Sequence, residues 1–331
     1  MAAGELDDGA AEGEHEQREV DQAVEKASHA HETTLRAADL PVGSRAVEIR
    51  TVGVVGLGTM GAGIAQVAVQ AGFPTVGREV SDALARRGHA TIERYLDRGL
   101  EKGRLTQEER DEALARFTPT TDIADLAACD LVIEAALEEL ELKREVFAAL
   151  DRICRPDAVL ATNTSALSVA EIAEATERPE RVVGMHFFNP APVLPLVEVV
   201  RAPRSSSEAV DAAYEWAQRA GKQPVRCNDT PGFIVNRILI PLLNDCVRVL
   251  DEADVRPEEM DKAMTKGAGW PMGPCALVDL IGIDVHVHAS EALHAKLGEA
   301  RMAPPERLVR MQREGRLGRK TGSGFFTYDG R

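Results

Sequence analysis

Between Val52 and Gly77 the chain carries Gly56-Leu57-Gly58-Thr59-Met60-Gly61. An apolar run (Val52, Val54, Val55) precedes it, and an alanine-rich helical pattern, Ile64 to Ala71, follows. A second short β-like run then ends at an acid, Glu79. Strand, glycine turn, helix, strand and carboxylate in that order form the dinucleotide-binding fingerprint. Gly56 is expected to allow the tight turn off the strand. Gly58, lacking a Cβ, lets the backbone approach a pyrophosphate, and Gly61 lets the helix pack closely. Thr59 and Met60 stand at the start of the helix, where free N–H groups and the positive helix end meet phosphate. Glu79 lies where an acid holds ribose hydroxyls, which favours NAD. Arg78 beside it leaves NADP possible.

Val52 to Gly77 holds no charged residue, so hydropathy alone suggests a membrane span. Seven glycines, Pro74 and the polar Thr59, Gln66 and Gln70 argue against one. The period also changes from strand-like to helix-like across the glycines. With 331 residues and 44% apolar content, the chain has enough material for a large core and two domains. No signal peptide is read at the start. Five scattered cysteines form no CxxC pair, so neither a disulfide frame nor a metal site is expected, and the cytoplasm is the natural compartment. The net charge of -15 disfavours nucleic acid as a partner.

Residues 1–50 hold twelve acids and five bases with few bulky apolar side chains, which predicts a disordered acidic tail, with a transient helix at 16–38. From Thr51, strands are expected at 51–55, 74–78, 130–134, 158–162, 181–186, 195–200 and near 223–226. Helices are expected at 60–71, 81–98, 107–116, 138–152, 167–176 and 206–220. This alternation predicts an α/β fold, a Rossmann-like mostly parallel sheet. After the turn cluster Asn228-Asp229-Thr230-Pro231-Gly232 the pattern is helical, so an all-helical C-terminal domain, 229–331, is expected to follow a nucleotide-binding domain, 51–228. Pro241 should kink the helix it enters.

Three polar groups stand where apolar ones belong. His186 ends the apolar run Val182-Val183-Gly184-Met185, at the carboxyl end of a strand, where ligands bind in open α/β sheets. Glu198 has apolar neighbours on both faces of its strand and needs a buried partner, for which His186 is the candidate. Such a pair suits alcohol oxidation, with the imidazole taking the hydroxyl proton and the carboxylate fixing the tautomer. The third feature is Thr162-Asn163-Thr164-Ser165. Ser168 is the better cap for the helix that follows, which leaves Ser165 for a ligand.

Five motifs occur in order: the glycine turn, Asn163-Thr164-Ser165, His186-Phe187-Phe188-Asn189-Pro190, Pro231-Gly232-Phe233-Ile234-Val235-Asn236-Arg237, and Gly318-Arg319-Lys320-Thr321-Gly322. Together they resemble the L-3-hydroxyacyl-CoA dehydrogenase family, closest to its bacterial 3-hydroxybutyryl-CoA members, from about Thr51 to Tyr328. The resemblance implies reversible NAD-dependent oxidation of a short-chain L-3-hydroxyacyl-CoA to the 3-oxoacyl-CoA. It implies His186 as catalytic base, Glu198 as its orienting partner, Ser165 and Asn236 on substrate oxygens, and Asn189 as a further active-site asparagine. It places Glu138 and Lys143 near the nicotinamide and implies a homodimer. Arg98, Lys102 and Arg104 occupy places that suit the anionic coenzyme A.

The acidic tail departs from the family pattern, as do Glu79 in place of aspartate, Glu139 in place of asparagine, and Gly77 in place of a bulky apolar residue. Gly77 puts the packing of its strand in question. Two rivals share the fold: a free hydroxy-acid dehydrogenase similar to L-gulonate 3-dehydrogenase, and a non-catalytic NAD-binding relative similar to lambda-crystallin.

Overall fold

A computed structural model of the chain describes residues 48–328. The tail expected at 1–50, with its transient helix, lies outside the described residues apart from its last three positions. The alternating apolar runs form β1 (Val52–Val55), α1 (Thr59–Gln70), β2 (Thr75–Arg78), α2 (Asp82–Glu101), α3 (Gln107–Ala115), β3 (Phe117–Thr120), β4 (Leu131–Glu134) and α4 (Leu140–Ile153). They continue as β5 (Val159–Thr162), α5 (Val169–Ala173), β6 (Val182–Phe187), β7 (Leu196–Arg201), α6 (Ser207–Arg219) and β8 (Gln223–Asn228). The eight strands make one sheet in the order β3-β2-β1-β4-β5-β6-β7-β8. Every neighbouring pair is parallel except β6 and β7. The fold is a Rossmann-like sheet with its strand order reversing beside β1, and the carboxyl ends of β1, β4, β5 and β6 lie on one edge.

Side chains alternate across the strands and feed two cores. Val54, Ile133, Ala161, Met185 and Val199 pack with Ile64 of α1, Leu96 of α2 and Trp216 of α6. Val55, Val132, Leu160 and Val200 pack on the other face with Phe147 of α4 and Ile172 of α5. The questioned Gly77 is part of this packing. A Cβ there would stand 2.5 Å from the ring of Phe117 and 2.9 Å from Leu57. The bulk that the family often places at this position is supplied here from β3 and the glycine turn.

The chain then becomes helical: α7 (Val235–Glu252), α8 (Pro257–Gly267), α9 (Pro274–Ile281), α10 (Ile283–Leu297) and α11 (Glu306–Arg313). The glycine- and proline-rich stretch 268–273 separates α8 from α9. Pro241 lies inside α7, which continues through it to Glu252. A polar knot crosses this core: His286 Nε2 lies 2.8 Å from Asn244 Oδ1, and the Asn244 amide donates to Ser290 Oγ and the Met302 carbonyl, each at 3.2 Å. The Gly318–Gly322 motif opens a strap that closes on α9. Buried Asp279 accepts the N–H groups of Phe325 and Phe326 and the Tyr328 hydroxyl. All five cysteines are free. Among the described residues, no helix is long and apolar enough to cross a membrane.

Candidate active site

The glycine turn takes the shape its sequence requires. Gly56 has φ +85°, and a Cβ would lie 2.8 Å from the Ala135 carbonyl. At Gly61 a Cβ would fall 1.7 Å from the Gly56 carbonyl. At Gly58 it would meet nothing within 4 Å, so that position faces open space. Gly58 also begins α1, and no side chain caps the helix. The first-turn N–H groups, including those of Thr59 and Met60, are thus left for an anion. Glu79 follows β2 and accepts the Leu57 N–H at 2.6 Å, which sets its carboxylate against the turn. A bare helix end, an open glycine and an acid at the neighbouring strand fit a bound dinucleotide.

At the same edge of the sheet, β6 and β7 place His186 directly opposite Glu198. Nδ1 of His186 lies 2.7 Å from Glu198 Oε2, with the two side chains 7% and 0% exposed. The other oxygen of Glu198 accepts the N–H groups of Ile234 at 3.0 Å and Val235 at 2.9 Å. Those donors arrive through the Pro231-Gly232-Phe233 turn. Gly232 has φ +78° and Phe233 φ +49°, a region that costs a non-glycine residue about 1–3 kcal/mol. The turn also sets the Phe233 ring 5.6 Å from the imidazole, and Phe188 lies 4.5 Å away on the other chain segment. Asn236, the second residue of α7, is half-buried and follows Val235 in the chain.

Glu138 binds the turn that carries Ser165. Its Oε1 accepts from Thr164 Oγ1 at 2.6 Å and from the N–H groups of Ser165 at 2.8 Å and Ala166 at 3.1 Å. Burial pushes its pKa up, but the Lys143 ammonium and these donors outweigh that and hold it below the usual carboxylate range. Ser168 caps α5, as expected, accepting the Glu171 N–H and donating to Asp229 at 2.8 Å. Lys296 of α10 reaches the Ala166 carbonyl at 2.9 Å, so the helical segment also touches this turn. Asn189 follows β6 and is exposed. Arg98, Lys102 and Arg104 are exposed at the end of α2. The expected set therefore gathers along one edge: the glycine turn and Glu79, then Glu138 and Ser165, then His186, Glu198 and Asn236.

Residues 51–230 match the sequence profile of the 3-hydroxyacyl-CoA dehydrogenase NAD-binding domain, and residues 232–328 match that of the 3-hydroxyacyl-CoA dehydrogenase C-terminal domain. The chain belongs to the 3-hydroxyacyl-CoA dehydrogenase family. It is 44% identical to the 3-hydroxybutyryl-CoA dehydrogenase of Mycobacterium tuberculosis over 85% of this chain and 99% of that one. It is also 44% identical to the 3-hydroxyadipyl-CoA dehydrogenase of Escherichia coli, over 85% of this chain and 60% of that one. The crystal structure of (S)-3-hydroxybutyryl-CoA dehydrogenase from Ralstonia eutropha superposes with a TM-score of 0.82 at 41% identity, covering 86% of this chain and all of that one. The chain is accordingly an NAD-dependent oxidoreductase acting on the CH–OH group of 3-hydroxyacyl-CoA.

Two residues of the dehydrogenase site escaped assignment from sequence. Asn163 accepts the Phe187 N–H on Oδ1 at 2.9 Å and so ties β5 to the end of β6. Glu134 is fully buried at the end of β4 and bonds Lys143 Nζ at 2.7 Å. The signal for Glu134 was an acid closing an otherwise apolar strand, and only the fold shows what it meets.

Proposed function

We propose that the enzyme interconverts 3-hydroxybutyryl-CoA and acetoacetyl-CoA, with His186 as the base that takes the hydroxyl proton during oxidation. The observation that carries this reading is the buried contact of His186 Nδ1 with Glu198 at 2.7 Å. Bonded there, the ring carries its proton on Nδ1 and leaves Nε2 with the lone pair a base requires. Glu198 then stabilises the imidazolium formed when the proton arrives. Bound NAD supplies the hydride acceptor for this oxidation. Gly56, Gly58, Thr59, Met60, Gly61 and Glu79 hold its phosphates and ribose, and Glu138, with Lys143 beneath it, lies at the nicotinamide end. Ser165 and Asn236 hydrogen-bond the substrate oxygens, and Asn189 lines the same site. Because Asn236 comes from α7, both segments of the chain take part in turnover.

The four-carbon acyl group rests on similarity to the 3-hydroxybutyryl-CoA relatives. The test is loss of NADH, and in parallel NADPH, with acetoacetyl-CoA against longer and dicarboxylic 3-oxoacyl-CoA esters. Preferred turnover of acetoacetyl-CoA with NADH supports the reading, and preference for a longer or dicarboxylic acyl group overturns it. A homodimer is part of the same proposal, supported by exposed Ile234, Ile238, Leu280 and Val285 on the helical segment. A cytoplasmic location is supported by five unpaired cysteines.

A further inference from the structure

Glu134 has no part in the reading above, yet it organises the floor of the site. Its Oε1 accepts from Lys143 Nζ at 2.7 Å and from the Ala136 N–H at 2.6 Å, and its Oε2 accepts from Thr162 Oγ1 at 2.8 Å. Glu134 and Thr162 are paired residues at the carboxyl ends of β4 and β5, so the carboxylate ties the two strand ends together. Lys143 is 1% exposed, and its ammonium also lies 3.4 Å from Glu138 Oε2. The other oxygen of Glu138 gathers Thr164, Ser165 and Ala166. A continuous series of charge-assisted contacts therefore runs from Glu134 through Lys143 and Glu138 to Ser165.

We propose that Glu134 is a positioning residue for Ser165. The buried ammonium lies closer to Glu134, at 2.7 Å, than to Glu138, at 3.4 Å, so Glu134 takes the larger share of its attraction. With Glu134 neutral, the whole attraction falls on Glu138. Its Oε2 is then drawn toward Lys143, and Oε1 turns away from the Ser165 and Ala166 N–H groups. The turn carrying Ser165 loses its fixed geometry, and a hydroxyl displaced by a fraction of an ångström no longer meets the substrate oxygen. A stabilising role alone accounts poorly for the arrangement, because buried ion pairs contribute little net stability over apolar packing. The inference rests on the reading of Ser165 as a substrate contact.

The test is a double-mutant cycle of Glu134→Gln and Ser165→Ala. It is followed by kcat and KM for acetoacetyl-CoA with NADH, by NADH titration and by urea midpoint. Each single variant is expected to lose about 10–100-fold in kcat, and the double to fall within about threefold of Ser165→Ala, since both act on one contact. Losses that multiply, or wild-type turnover in Glu134→Gln, overturn the inference and leave the Ser165 reading standing. Full turnover in Ser165→Ala overturns both. Should Glu134→Gln not fold, Glu134→Asp replaces it in the same cycle: it keeps the charge but draws the carboxylate back from Lys143 Nζ.

Discussion

Glu198 accepts the Val235 N–H on one carboxylate oxygen at 2.9 Å while its other oxygen lies 2.7 Å from His186. The orientation of the histidine is thereby fixed from the first turn of α7 as well as from the sheet. A glutamine at 198 keeps the α7 N–H groups on its amide oxygen only by turning its N–H toward His186, which then carries its proton on Nε2 and cannot act as the base. Glu198→Gln is expected to lower kcat by about 10²–10³-fold. It should also lower stability by about 1–3 kcal/mol, because a neutral amide oxygen accepts the two α7 N–H groups less strongly than a carboxylate does. Steady-state kinetics and urea unfolding check both, and unchanged kcat would refute the orienting role.

His286 gives the helical core a pH dependence. Burial lowers its pKa from 6.5 to about 4, so the folded protein keeps it neutral where the unfolded chain takes up a proton. The sign follows: this stability is fully present above pH 6.5, declines as pH falls, and is lost near pH 4. At pH 5 the loss is about 2 kcal/mol. His286→Gln keeps a donor for Asn244 but does not titrate. Its urea midpoint should fall less than that of the wild type between pH 7 and pH 5, and parallel declines would contradict the assignment.

Gly58 and Gly61 separate cofactor binding from packing. A methyl at Gly58 meets no protein atom, whereas at Gly61 it falls on the Gly56 carbonyl. Gly58→Ala should weaken NADH binding about tenfold or more with an unchanged melting temperature, since it fills space kept for pyrophosphate. Gly61→Ala should destabilise the fold itself by about 1–3 kcal/mol. Equal effects of the two on melting temperature would show that Gly58 is not kept for a ligand.

The ring of Phe117 fills the space above Gly77. Gly77→Val alone overpacks that space and is expected to cost about 1–3 kcal/mol. Phe117→Ala alone opens a cavity and costs about 3–5 kcal/mol. Combined, the two should lose less than their sum, measured by chemical denaturation of all four forms. Simple additivity would mean that the two positions do not share one space.

Much of this was legible in the chain. β1 showed because Val52–Val55 is wholly apolar, and β6 and β7 because apolar runs enclose His186 and Glu198. β3 did not, because Phe117-Thr118-Pro119-Thr120 has a single large apolar residue and a proline, which an edge strand tolerates. The reversal of β7 was equally hidden: apolar runs show burial, while direction depends on the connection, here the short loop from β6. α5 starts after the expected 167, because Ser168 caps it and Asp229 holds its first turn, and it ends at Ala173, three residues before the expected 176. Glu198 needed a partner, and His186 was the one the fold supplied. Lys143 and Glu134 meet from a helix and the preceding strand, a contact that spacing alone did not reveal.

The most direct test of the account is NADH oxidation by acetoacetyl-CoA in the wild type and in His186→Gln, with NADH affinity measured on both proteins. Rapid turnover by the wild type, a fall of about 10³-fold or more in the variant and an unchanged dissociation constant for NADH are expected. Retention of most of the turnover by His186→Gln would contradict the assignment of the proton to His186.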